Sequence, residues 1–169
     1  MKHSKWFLLM VCGMGLTALV GACAPFLSES HWGPAHQLSG LGATYAWRQG
    51  AKCEPESVQT ENPDIPVRVQ EQLEADLATK GYLRPAGGKP DFVVCYRLGK
   101  VVTQAETGLD SWDDAVLEVD LTDPATGGLI WRGRVRGRID YSASPDARGG
   151  RLDTAVRQLM KPLPKASNR

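Results

Sequence analysis

Between Ile130 and Arg138 every second residue is an arginine: Arg132, Arg134, Arg136 and Arg138 alternate with Trp131, Gly133, Val135 and Gly137. A helix would spread these cations around its circumference. A strand, with a side-chain period of two, puts all four on one face. The run from Leu129 to Tyr141 therefore reads as a long strand with one apolar face and one basic face. If helices cover the apolar face, the arginines line the open one.

The preceding run supplies a partner. Ala115 to Thr122 alternates Leu117, Val119 and Leu121 against Val116, Glu118 and Asp120, and Asp123-Pro124-Ala125-Thr126-Gly127-Gly128 turns the chain. Pairing that keeps the leucines inward puts Glu118 and Asp120 on the arginine side. One register opposes Asp120 to Arg132 and Glu118 to Arg134; a two-residue shift opposes Glu118 to Arg132. Either way two arginines are neutralised, and Arg136 and Arg138 become the first candidates for binding an anion.

The remaining elements fit the same sheet. Thr44-Tyr45-Ala46-Trp47 reads as a first strand, and Gln49 to Asn62, with Cys53 and Pro55, as a loop. A helix follows, capped by Asp64, with Pro66 in its first turn, an Ile65/Val69/Leu73/Leu77 stripe and Gly81 at its end. Asp91 to Leu98 alternates as a strand, and Gly99 to Asp114 reads as loop, with continuation of the strand through Val101 and Val102 left open. Pro145 to Gly150 reads as loop. Leu152, Ala155, Val156, Leu159, Met160 and Leu163 then space a second helix, stopped by Pro162. The order β-α-β-β-β-α implies an α+β fold: a four-stranded mixed sheet with two helices on one face.

The N-terminus carries a different message. Met1 to Lys5 is basic, Trp6 to Val20 is an uncharged run of 15 residues, and Val20-Gly21-Ala22-Cys23 closes it. The run is short for a membrane-spanning helix, which needs about 20 residues. Its length, basic flank and small residues at the exit match a secretory signal. The Val20-Gly21-Ala22-Cys23 stretch resembles a bacterial lipobox, which implies cleavage between Ala22 and Cys23 and lipid on the Cys23 thiol. Ala24 follows, where an Asp would signal inner-membrane retention in lipoproteins of this type. The expected organisation is a signal peptide over 1–22, lipidated Cys23 with a tether over 23–42, a single periplasmic α/β domain over 43–164, and a frayed tail over 165–169. The expected location is the outer membrane, lipid-anchored, with the domain facing the periplasm.

Four blocks carry a family resemblance: Thr44-Tyr45-Ala46-Trp47; Ile65 to Tyr82 with Lys80-Gly81-Tyr82; Pro90-Asp91-Phe92; and Asp123-Pro124 through Leu129-Ile130-Trp131-Arg132-Gly133. In this order they resemble the bacterial lipoproteins of domain-of-unknown-function family 4136. The resemblance implies a secreted, usually lipidated α/β domain and no particular activity.

Other chemistry is sparse. Lys2 and Lys5 lie in the first 22 residues, which leaves 18 basic against 19 acidic residues from Cys23 onward. Such a balance gives no drive toward nucleic acid. His31 and His36, five apart in the tether, read as exposed linker residues. Asp110, Asp113 and Asp114 lack the alternation, the glycine and the later glutamate of a calcium loop, so no metal and no cofactor is expected. No Gly-x-Ser-x-Gly, no Cys-x-x-Cys and no histidine beyond the tether offers a nucleophile system, so the domain reads as non-catalytic. Cys53 and Cys95 remain as a candidate disulfide in an oxidising compartment; it would close a loop of about 40 residues and contribute about 4 kcal/mol in the chain-entropy picture. The first functional expectation is a lipid-anchored envelope protein that binds a partner protein or complex. The alternative is a module that binds lipopolysaccharide or peptidoglycan through Arg132, Arg134, Arg136 and Arg138.

Overall fold

The computed structural model describes residues 26–35, 41–48 and 64–166; the signal segment, Cys23, His36, Cys53 and residues 167–169 lie outside them. The elements run β1 (Phe26–Trp32), β2 (Tyr45–Trp47), α1 (Asp64–Thr79), β3 (Phe92–Gln104), β4 (Ser111–Thr122), β5 (Leu129–Arg138) and α2 (Pro145–Met160). The strands form one sheet in the order β1-β5-β4-β3-β2. β2 and β3 are parallel, joined through α1, and every other pair is antiparallel. The α+β class, the mixed sheet and the two helices agree with the sequence pattern.

The sheet has five strands, not four, and the element order begins β-β-α. The extra strand is β1, inside the stretch read as tether, so the folded domain starts at Phe26 rather than at residue 43. Phe-Leu-Ser-Glu-Ser-His-Trp has the serines and charges of a linker. It is ordered by the neighbour it meets: Phe26 lies opposite Gly137, Glu29 opposite Arg134 and Trp32 opposite Trp131. Non-local pairing overrides weak local propensity there. Gly33 continues the contact, its N–H donating to the Ile130 carbonyl at 2.8 Å.

Three boundaries also move. β3 and β4 form one long hairpin, so Asp113 and Asp114 belong to a strand rather than a loop. α2 starts at Pro145, with the Ser144 hydroxyl accepting from the Ala147 N–H at 3.2 Å and Pro145 in the first turn. The two glycines, Gly149 and Gly150, obscure that start. Gly149 has a packing reason: the Arg68 guanidinium of α1 lies against it while binding both Asp153 carboxylate oxygens, at 3.0 and 2.8 Å. At the other end, Ala166 is not frayed, because its N–H donates to the Lys80 carbonyl at 2.8 Å.

The core lies between the helices and one sheet face. Val69, Leu73 and Leu77 of α1 and Val156 and Leu159 of α2 meet Phe92, Val94, Leu117, Val119, Leu121, Trp131 and Val135. Tyr82 is sealed against Phe92, edge to face at 5.4 Å, and its hydroxyl donates to the Pro164 carbonyl at 3.0 Å. Burial pushes the Tyr82 phenol up to about 12.

Candidate functional site

The open sheet face is where the sequence places its candidate residues. The β4–β5 register is one of the two considered: Asp120 opposes Arg132 and Glu118 opposes Arg134. All four β5 arginines share this face with Cys95 and Arg97 of β3 and with Leu27, Glu29 and His31 of β1.

The arginines form a lattice with the carboxylates around them. Asp120 is buried and receives Arg132 through two bonds, Nε at 2.6 Å and a terminal nitrogen at 2.7 Å. Arg97 approaches the same carboxylate from the other side at 2.8 Å and also bonds Glu118. Burial alone would raise the Asp120 carboxyl; the hydrogen bonds and charges of Arg132 and Arg97 outweigh it and hold the group below the usual carboxylate range. One strand-length away Asp114 repeats the arrangement. Arg136 Nε donates to it at 2.7 Å, Thr103 at 2.6 Å and Trp112 Nε1 at 3.1 Å. Its carboxyl is likewise lowered, burial opposing and the Thr103 and Arg136 bonds prevailing.

The two arginines singled out as unpaired are therefore engaged. Arg136 holds Asp114 and Thr103, and the Arg138 guanidinium stacks over the Trp112 ring at 4.8 Å. Arg134, assigned to Glu118 by register, reaches instead toward Glu29 of β1 at 3.7 Å. Three further residues complete this lattice: Arg97, Glu29 and Asp114. Arg97 was legible, since it follows Tyr96 in an alternating run and must face away from it. Glu29 was not, because its strand was not.

Cys95 lies buried on this face opposite Asp120 and is disulfide-bonded; Cys53, its expected partner, falls outside the described residues. His31 sits opposite Arg132 in β1, so it belongs to the sheet rather than to a linker. Among the described residues no group of three His, Cys, Asp or Glu is placed to hold a metal ion, and no helix is long and apolar enough to cross a membrane. As a chemical device the face is a lattice of paired charge, with Asp120 and Asp114 held ionised and turned toward guanidinium groups.

A model of the family described as a domain of unknown function (DUF4136) matches residues 40–165. No curated protein matches the chain. Among solved structures it is similar to the PelC dodecamer from Paraburkholderia phytofirmans, at 15% identity and a TM-score of 0.55, covering 85% of this chain and 99% of PelC. It is also similar to lipoprotein GNA1162 from Neisseria meningitidis, at 16% identity and a TM-score of 0.44, covering 71% of this chain and 99% of that one. The PelC likeness is one of fold.

Proposed function

The chain belongs to the family of the domain of unknown function DUF4136, and from that premise we propose that it is a lipid-anchored envelope protein that acts by binding a protein partner rather than by catalysis. The observation that carries the binding reading is the edge position of β1 among the described strands. A sheet edge offers backbone N–H and C=O groups to another strand. The buried carboxylates of the open face, Asp120 and Asp114, are bonded to Arg132 and Arg136 rather than free for acid–base chemistry. The alternative, an anionic lipid or glycan held by the arginine row, would require Arg132 and Arg136 to release buried carboxylates first. PelC was solved as a dodecamer, and carried over to this chain that makes a second copy the first partner to look for.

The anchor rests on Val20-Gly21-Ala22-Cys23 and the uncharged run before it, and Ala24 supports the outer membrane with the domain in the periplasm. Two or three acyl chains, at about 0.8 kcal/mol per buried CH₂, make attachment effectively permanent. Cys23→Ser is expected to abolish palmitate labelling and to move the protein out of the membrane fraction. Unchanged labelling and fractionation would refute the anchor. For the partner, a photoreactive residue at Glu29 in the β1 edge is expected to capture a discrete protein adduct in cells. A chain that stays uncrosslinked at this and neighbouring edge positions would count against the binding reading.

A further inference from the structure

The sheet register has a consequence for how the domain meets the membrane. Phe26, the first residue of β1, lies opposite Gly137, which lies opposite Ala115, which lies opposite Lys100. The β3–β4 hairpin continues beyond that level to the Gln104–Ser111 pair and its turn. At about 3.4 Å per residue this arm projects roughly 13 Å past the start of β1. Cys23 is three residues before Phe26, so it can lie no more than about 11 Å from it, whatever path the link takes. A lipid on Cys23 would therefore tether the chain at Phe26, at the end of the sheet from which the hairpin arm projects.

That end is also where apolar side chains face outward. Leu109 at the turn is 89% exposed, Val102 on the arm 64%, Tyr141 beside it 59%, and Leu27 at the start of β1 74%. The turn is built to present Leu109: the Ala105 N–H donates to the Asp110 carbonyl and the Gly108 N–H to the Ala105 carbonyl, both at 2.8 Å, with Gly108 at φ +70°. The cations nearby are matched. Lys100 bonds Asp113 at 3.2 Å, the Tyr141 hydroxyl donates to Asp113 at 2.6 Å, and Arg138 stacks on Trp112. Glu106 and Asp110 border the turn and are exposed, so the arm is suited to the headgroup boundary and not to the hydrocarbon interior. Tyrosine and tryptophan beside it are residues that favour this depth.

We propose that the β3–β4 arm is a membrane-contact element: held against the bilayer by the lipid on Cys23, Leu109 and Val102 rest in the phospholipid interface. The inference rests on the lipid-anchor reading above. It fixes an orientation, with the β4–β5 turn at Asp123–Gly128 pointing away from the membrane and the β1 edge running outward from it.

The full chain, expressed with a photoreactive phenylalanine analogue at Leu109, at Val102 or, as the control, at Ala125 in the far turn, tests this in isolated membranes. Irradiation is expected to add the mass of a phospholipid to the Leu109 and Val102 proteins, several-fold above the Ala125 protein. A protein adduct at Leu109 in place of lipid, whether a second copy or another chain, overturns the proposal in favour of a protein-docking arm. So does the absence of a lipid adduct at both positions when intact mass shows lipid on Cys23. If intact mass shows no lipid on Cys23, the anchor reading itself fails, and that result is separate from the others.

Discussion

Trp131→Ala is expected to lower stability by about 3–5 kcal/mol, read as a lower urea midpoint at unchanged slope. Trp131 is fully buried at the junction of β5 with the helices. Its ring lies across Gly133, two residues on along the same face. A Cβ at Gly133 would overlap Trp131 Cη2 and sit 2.8 Å from Cζ2. Gly133→Ala should therefore cost about 1–3 kcal/mol in the wild-type background, by overpacking. In the Trp131→Ala background it should cost little, because the atoms it overlaps are gone. The two losses are thus strongly non-additive, and simple additivity would refute the contact. Trp131 Nε1 is buried with no hydrogen-bond partner among the described residues. Trp131→Phe, which removes that donor while keeping a ring, should be milder than Trp131→Ala.

The second large effect concerns Asp120. Asp120→Asn removes the charge shared by Arg97 and Arg132 while leaving the shape, and is expected to cost about 2–3 kcal/mol. This is below the loss for a fully buried pair because both arginines are about one-third exposed. Asp120 and Asp114 both titrate below the ordinary carboxylate range in the folded state. The stability they contribute is thus fully present above the unfolded value, about 4, and is lost as the pH falls through the folded values. Wild type should destabilise on acidification below about pH 4, and Asp120→Asn should show a shallower acid limb. A penalty under about 0.5 kcal/mol with an unchanged acid limb would place Asp120 among ordinary surface pairs.

These two sites differ in how much of them sequence alone makes visible. The period-two arginines and the alternation in β4 are local signals, and they specify two strands, their faces and a short set of registers. Asp120 opposite Arg132 follows from that set. Arg136 paired with Asp114 does not. Asp113 and Asp114 look like a solvated turn beside Gly108 and Asp110, until β3 continues to Gln104 and draws β4 out to Ser111. β1 shows the same limit more strongly. Its residues have the composition of a linker, and only the edge of β5 gives them a partner. The early start of α2 was written locally in Ser144 and Pro145, but Gly149 and Gly150 weigh against helix in any local reading.

The class of fold, the two helical stripes, the two-faced β4–β5 hairpin, the family and the candidate anchor at Cys23 are all legible along the chain. Each of these is carried by residues within a few positions of one another, where side-chain period and steric preference decide. Tertiary structure decided what those pieces do together. It turned an anion stripe into a lattice in which Arg132, Arg134 and Arg136 meet Asp120, Glu29 and Asp114 and Arg138 stacks on Trp112, and it turned part of the tether into an edge strand beginning three residues after Cys23. The physical reason is that charge pairing and edge pairing join residues far apart along the chain. A carboxylate's partner, like a strand's, is set by what the closed sheet brings within about 3 Å of it.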